Sequence, residues 1–211
     1  MGRPRKIDPA DGQPCLSKRD CVLTAGQQVF LECGYAAASM DAVAVRANVS
    51  KATIYAYFDN KRALFEAVIG GRCVAALSEF TVPQQHGDAR AVLTDLALQV
   101  LKRQLAPEAL ALHRVVLGEA PRQPELGEAF YAAGPALGIE LVGRLFADLT
   151  RRGLLAIPEG KLPLVVDLFL AMLKGDVHTR ALLGLPNGTH CLECIADMAA
   201  DLVVARYGVV K

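Results

Sequence analysis

The stretch that decides the fold is NVSKATIYAYFDNKRALF, residues 48–65. It crowds Ser50, Lys51 and Thr53 against Tyr55, Tyr57 and Phe58, with Lys61 and Arg62 close behind, in a chain otherwise rich in Ala, Leu and Val. Ser50 is positioned to cap a short helix, KATIYAYF, and Asn60 to cap a longer one running from Lys61 toward Leu77 or Phe80. Just upstream, Ser39 caps MDAVAVRA, and Asn48 tolerates the left-handed backbone that a sharp turn requires. Ile54 and Phe58, four apart, mark the side of the short helix that faces a core.

Working toward the N-terminus, SKRD opens at Ser17 with a Ser-x-x-Asp capping box. Val22, Ala25, Val29, Phe30 and Cys33 then recur at helical spacing, and Gly34 is a natural helix stop. Residues 1–16 are rich in Pro, Gly and charge and read as a basic flexible arm. Within it, GRP, which contains Arg3 and is followed by Arg5 and Lys6, suits insertion into a narrow minor groove, or a tail that adds only nonspecific attraction.

Two short helices joined by a tight turn form a helix-turn-helix. The second helix of such a pair lies in the major groove with its N-terminal residues at the base edges. That assigns Ser50, Lys51, Ala52 and Thr53 to bases and phosphates. Tyr55 and Tyr57 present hydroxyls to the groove or the phosphates, Ser39 sits at the start of the first helix of the pair, and Lys61 is expected on phosphate. Charge agrees with this placement. The whole chain is nearly neutral at +1, yet residues 1–64 carry nine Lys/Arg against six Asp/Glu, while residues 65–211 carry fourteen against sixteen.

The remainder reads as helix, with spans near 88–105, 107–120, 124–152, 161–184 and 189–207. AGPA, Ala133 to Ala136, should kink or interrupt the third of these. No strand alternation and no internal repeat is visible. The sequence therefore predicts an all-α protein: a flexible arm over 1–16, a helix-turn-helix domain over 17–64 and a helical domain over 65–211. With 53% apolar and 21% charged residues the chain is globular in composition. No apolar run is long enough to span a membrane, and the basic, polar N-terminus lacks the apolar core of a signal peptide. A cytoplasmic protein is expected, so its six cysteines are expected as free thiols.

GYAAASMDAVAVRANVSKATIYAYFDNKRALFEAVI, Gly34 to Ile69, resembles the DNA-binding domain of the TetR family of transcriptional regulators. The resemblance is carried by Gly34, Tyr35, Ser39, Met40, Val43, Ala44, Ala47, Val49, Ser50, Thr53, Ile54, Tyr55, Tyr57, Phe58, Lys61, Leu64 and Phe65. Two positions depart from the family pattern. Asn48 replaces the usual Gly and can hold the same turn. Ala56 replaces a larger residue and leaves little to touch DNA. VLGEAPRQPELGEAFYAAGPA and KGDVHTRALLGL are similar to the C-terminal domain of AefR-like members.

The resemblance implies a helical effector-binding and dimerisation domain. Subunits would pair through helices near 161–184 and 189–207, the first of which is apolar nearly all round. It also implies a homodimeric regulator, usually a repressor, that binds a palindromic double-stranded operator and is released by a small apolar effector of unknown identity. His113, Phe130, Tyr131, Phe169, Met172 and His178 lie on helices expected to surround that effector. Packed aromatics and surface charges are the plainer reading of the same residues. HCLEC brings Cys191 and Cys194 to a helix start, which suits either a thiol sensor or, more simply, packed thiols along the stripe Cys191, Ile195, Met198 and Leu202. No nucleophile–base pair is visible, so no catalytic residue, cofactor or metal is expected.

Overall fold

The structure, a computed structural model, describes residues 17–78, 88–186 and 188–209. It is all-α: α1 (Lys18–Ala37), α2 (Met40–Ala47), α3 (Lys51–Tyr55), α4 (Lys61–Ser78), α5 (Ala89–Gln104), α6 (Pro107–Glu119), α7 (Pro124–Ala133), α8 (Pro135–Arg151), α9 (Leu162–Leu182) and α10 (Leu192–Tyr207). Among the described residues the only extended pairing is an isolated bridge between Leu155 and Gly208.

The helix starts follow from side-chain caps. Ser17, Ser39 and Ser50 each accept the backbone N–H three residues on, at 3.1 Å. Asn60 does the same for Ala63 at 2.9 Å and Asp88 for Ala91 at 2.8 Å. Each such cap stabilises its helix by about 1 kcal/mol. Asn48 takes the left-handed conformation, φ 50° and ψ 50°, and turns the chain from α2 toward α3. Two boundaries differ from the sequence reading and one expected interruption is present. α3 stops at Tyr55, because the chain must turn before Asn60 can cap α4. Gly34 leaves helical geometry at φ 77°, but a last turn carries α1 on to Ala37. The 124–152 span is interrupted at Gly134, within the AGPA stretch as expected, since Pro135 has no N–H to continue the ladder.

The chain divides into two compact units, residues 1–74 with 112–134, and residues 75–111 with 135–211. In the first, Phe65 meets the rings of Phe30 and Tyr35, each at 4.9 Å, in edge-on contacts. Ile54, Leu64 and Ile69 are fully buried around them, and Leu112, Val116 and Leu126 of α6 and α7 complete the same core. The expected domain break after Leu64 falls inside this core, so Phe65→Ala would cost about 3–5 kcal/mol there. Glycine matters once in this packing. A Cβ on Gly26 would stand 3.3 Å from the Leu64 side chain, so α1 and α4 lie close at that point.

In the second unit α5 packs along α10, and α8 along α9, around Phe146 and Phe169, whose rings lie 5.2 Å apart. Arg90 of α5 reaches Asp201 of α10 at 2.5 and 3.2 Å. α9 leaves helical geometry at Gly175, φ 29° and ψ −148°. After α10, Gly208 turns against the helix end and Ala156 donates to the Tyr207 carbonyl at 2.7 Å. Cys191 and Cys194 form a disulfide, where the sequence led to packed free thiols. Their positions at the cap and first turn of α10 hold the Cα atoms 5.2 Å apart, within bonding range.

Candidate nucleic-acid interface

The helix-turn-helix is α2, the Asn48 turn and α3. Ile54 and Phe58 are buried at 0% and 5% exposure in the first core, which fixes one side of α3 and leaves its other side in solvent. On that side stand Ser50, Lys51, Ala52, Tyr55 and Tyr57, with Thr53 half-buried. The Ser50 and Thr53 hydroxyls are 2.8 Å apart, so the cap is also tied to the first turn of α3. Tyr55 and Tyr57 are each 45% exposed, large rings held at the surface rather than in the core. Ser39 lies at the start of α2 with its oxygen committed to the cap and its residue exposed. Arg3 and Arg5 lie outside the described residues.

Lys61 is placed differently from the expectation of a phosphate contact. Its Nζ donates to the carbonyls of Tyr35, Ala36 and Ala38 at 2.8, 3.1 and 3.0 Å, and sits 4.5 Å from the Tyr35 ring centroid. Three donors are all an ammonium has. The last carbonyls of α1 have no helical partner, and a cation there also complements the negative helix end. The charge of Lys61 is thus spent on joining α1 to α4, and what remains at this helix start for an anion is the backbone N–H.

The other cations of α2, α3 and the start of α4 have internal partners too. Arg46 pairs with Glu32, joining α2 to α1. Each raises or lowers the other in the expected sense: the hydrogen bond to Arg46 holds the Glu32 carboxyl down, and Glu32 holds the Arg46 guanidinium up. Arg62 lies 3.5 Å from Glu66 and 4.0 Å from Glu125. Lys51 stands 2.7 Å from one oxygen of Asp41 and 3.0 Å from the other, and that hydrogen bond raises its pKa. Asp41 was missed by sequence reasoning. It precedes Lys51 by ten residues across a turn, a spacing with no helical period to announce it.

The residues expected around an effector fall in different units. His113, Phe130 and Tyr131 belong to the first, where the His113 and Phe130 rings lie 5.0 Å apart and Tyr131 is 56% exposed. Phe169, Met172 and His178 belong to the second. Phe169 is fully buried against Phe146, and His178 is buried, which lowers its pKa, with Lys174 adding to the effect. A cleft of about 210 Å³ opens beside Gly175, lined by Met172, Val177, His190 and Ile195 among others. Of the six expected residues, Met172 alone lines it. Among the described residues no cluster of His, Cys, Asp or Glu is arranged to hold a metal.

Comparison with known proteins agrees with this architecture along the chain. Residues 22–68 match the model for bacterial regulatory proteins of the tetR family, and residues 91–209 match the AefR-like transcriptional repressor C-terminal domain. The flavonoid-responsive regulator FrrA is 30% identical, with 92% of this chain and 98% of that one covered at a TM-score of 0.80. A TetR-family regulator from Mesorhizobium loti MAFF303099 is 27% identical, with 91% and 97% covered at a TM-score of 0.77. The transcriptional activator FasR of Mycolicibacterium smegmatis is 44% identical over 56 residues. Matches to curated relatives span only about a quarter of their length, 28% and 26%. With a helix-turn-helix whose α3 is anchored by Ile54 and Phe58, and a second helical unit matched over most of its length, this chain belongs to the TetR family of DNA-binding transcriptional regulators.

Proposed function

We propose that the protein is a cytoplasmic, homodimeric repressor that binds a palindromic operator and leaves it when a small apolar effector binds. The observation that carries the dimer is an uncovered apolar surface on the second unit. Leu164 and Leu168 of α9 are 52% and 56% exposed, and Met198 and Leu202 of α10 are 60% and 52% exposed. On each helix they lie four residues apart, and Ala171 and Ala205 extend the two stripes in solvent. Soluble chains rarely leave such stripes open, and a second copy placing the same stripes against them would form an isologous four-helix contact. Two DNA-binding modules related by that twofold would face half-sites about 34–36 Å apart.

An effector acts by preferring one spacing of the modules over another, and its leverage is its differential affinity. α4 and α6 each contribute residues to both compact units and are the elements through which such a preference would travel. Because the similar regulator FrrA is flavonoid-responsive, planar polyphenols head the ligand panel. The test combines light scattering with Leu168→Glu and Leu202→Glu variants, and footprinting of upstream DNA with and without the panel. The expected result is a dimer that each variant turns into a monomer with weakened operator binding. A wild type that is monomeric at operator-saturating concentration refutes the dimer.

A further inference from the structure

The ion pair between Asp41 and Lys51 is an odd feature for a surface that meets DNA. It places an acceptor-only carboxylate among phosphates and base edges. An exposed pair of this kind, screened by solvent, adds little to the stability of the fold. Asp41 and Lys51 stand in the first turns of α2 and α3, one helix to each side of the Asn48 turn, and both side chains are more than half exposed, at 67% and 54%. A cation donor and an anion acceptor are thus presented together, 2.7–3.0 Å apart, at the start of α3.

We propose that Asp41 and Lys51 act as one unit that reads a single G·C base pair in each operator half-site. The inference rests on the operator-binding reading above. In the major groove a G·C pair shows guanine O6, an acceptor, beside cytosine N4–H, a donor. The two are joined by a Watson–Crick hydrogen bond of about 2.9 Å, the ordinary N–H···O distance. The protein pair shows the complementary order at the same separation: Lys51 donates to O6, and Asp41 accepts from N4. Reversing the base pair sets the N4 donor against the ammonium and O6 against the carboxylate, so C·G is rejected, and A·T is rejected on the same ground. T·A keeps the central order but loses on both flanks. Guanine N7, a second acceptor for Lys51, is replaced by the thymine methyl, and adenine N7 is set beside the Asp41 carboxylate.

Selection of the full-length protein on randomised duplexes, followed by affinities for all four base pairs at each enriched position, tests this. Wild type should show one position per half-site where G·C is preferred by about 5- to 150-fold, the range of one good base contact. Asp41→Asn, Asp41→Ala and Lys51→Met should each flatten that same position, and the Asp41→Ala/Lys51→Met double variant should flatten it no further. Variants that alter different positions, or that change affinity for every sequence equally, overturn the paired reading. A wild type that enriches no sequence overturns operator binding itself. One that enriches an operator indifferent to both residues overturns only the pair.

Discussion

Replacing Lys61 by Met keeps an unbranched four-atom stem, with sulfur for one methylene, and removes the ammonium. Three hydrogen bonds of 2.8–3.1 Å then vanish, and the carbonyls of Tyr35 and Ala38, residues 5% exposed, lose a partner. A buried carbonyl left without its partner costs about 1–3 kcal/mol, and the contact with the Tyr35 ring adds about 0.5–1 kcal/mol. Releasing the ammonium from its partial burial offsets some of this. The expected net loss is about 2–4 kcal/mol, or about 30- to 1,000-fold in the equilibrium for opening the turn between α1 and α2. Hydrogen exchange of peptides covering 34–42 reads that opening directly, and operator affinity across a salt series reads the phosphate count. If Lys61 is a strut, exchange accelerates and operator affinity falls while the salt slope stays constant. Unchanged exchange with a slope lowered by about one would refute the strut and put the ammonium on a phosphate.

Other outcomes follow from single sites. A Cβ at Gly208 would stand 2.5 Å from the Val204 carbonyl oxygen, so Gly208→Ala should destabilise the second unit by about 1–3 kcal/mol in urea unfolding. His178 has its pKa lowered by burial, so the unfolded chain takes up its proton first. Stability should therefore fall as pH drops below the unfolded value of about 6.5 and level off below the folded value. His178→Gln should remove that component, as thermal melts between pH 5 and 8 will show. Reduction of the Cys191–Cys194 disulfide should leave operator affinity unchanged, because the bond closes within the first turn of α10. A reductant-dependent affinity would favour a thiol sensor instead.

The helix-turn-helix was legible because its determinants are local. Ser39, Asn48, Ser50 and Asn60 act within three residues of themselves, and Ile54 and Phe58 lie on one turn of chain. The break at Gly134 was legible for the same reason, since proline acts on its own backbone. Lys61 was read as a phosphate ligand because its actual partners lie 23 to 26 residues earlier, at carbonyls that carry no mark in the sequence. The incorporation of Leu112, Val116 and Leu126 into the first core was equally hidden, because apolar helix faces state that they are buried without stating against what. The effector residues carry the same ambiguity: Phe130 and Phe169 are both apolar helix positions, and nothing in the sequence says that they belong to different units.

The distribution of charge in the module bears on how it selects DNA. Nonspecific affinity comes from cations that release counterions at phosphates. Among the described cations of α2, α3 and the start of α4, Arg46, Lys51 and Arg62 face carboxylates and Lys61 faces carbonyls. Each carboxylate pair is exposed, so exchanging it for phosphate costs little, but each exchange also gains little net charge at the DNA surface. A module built this way attracts random duplex weakly and depends on the residues at base edges for most of its discrimination. Neutralising one internal carboxylate separates the two contributions. Glu32→Gln frees Arg46, which does not stand at the N-terminal end of α3, and should raise affinity for random and operator DNA alike while steepening the salt slope. Asp41→Asn frees Lys51 at the base edge, and should raise random binding while lowering the preference for operator. Equal effects of the two substitutions would mean that both carboxylates serve only to lower the charge of the module.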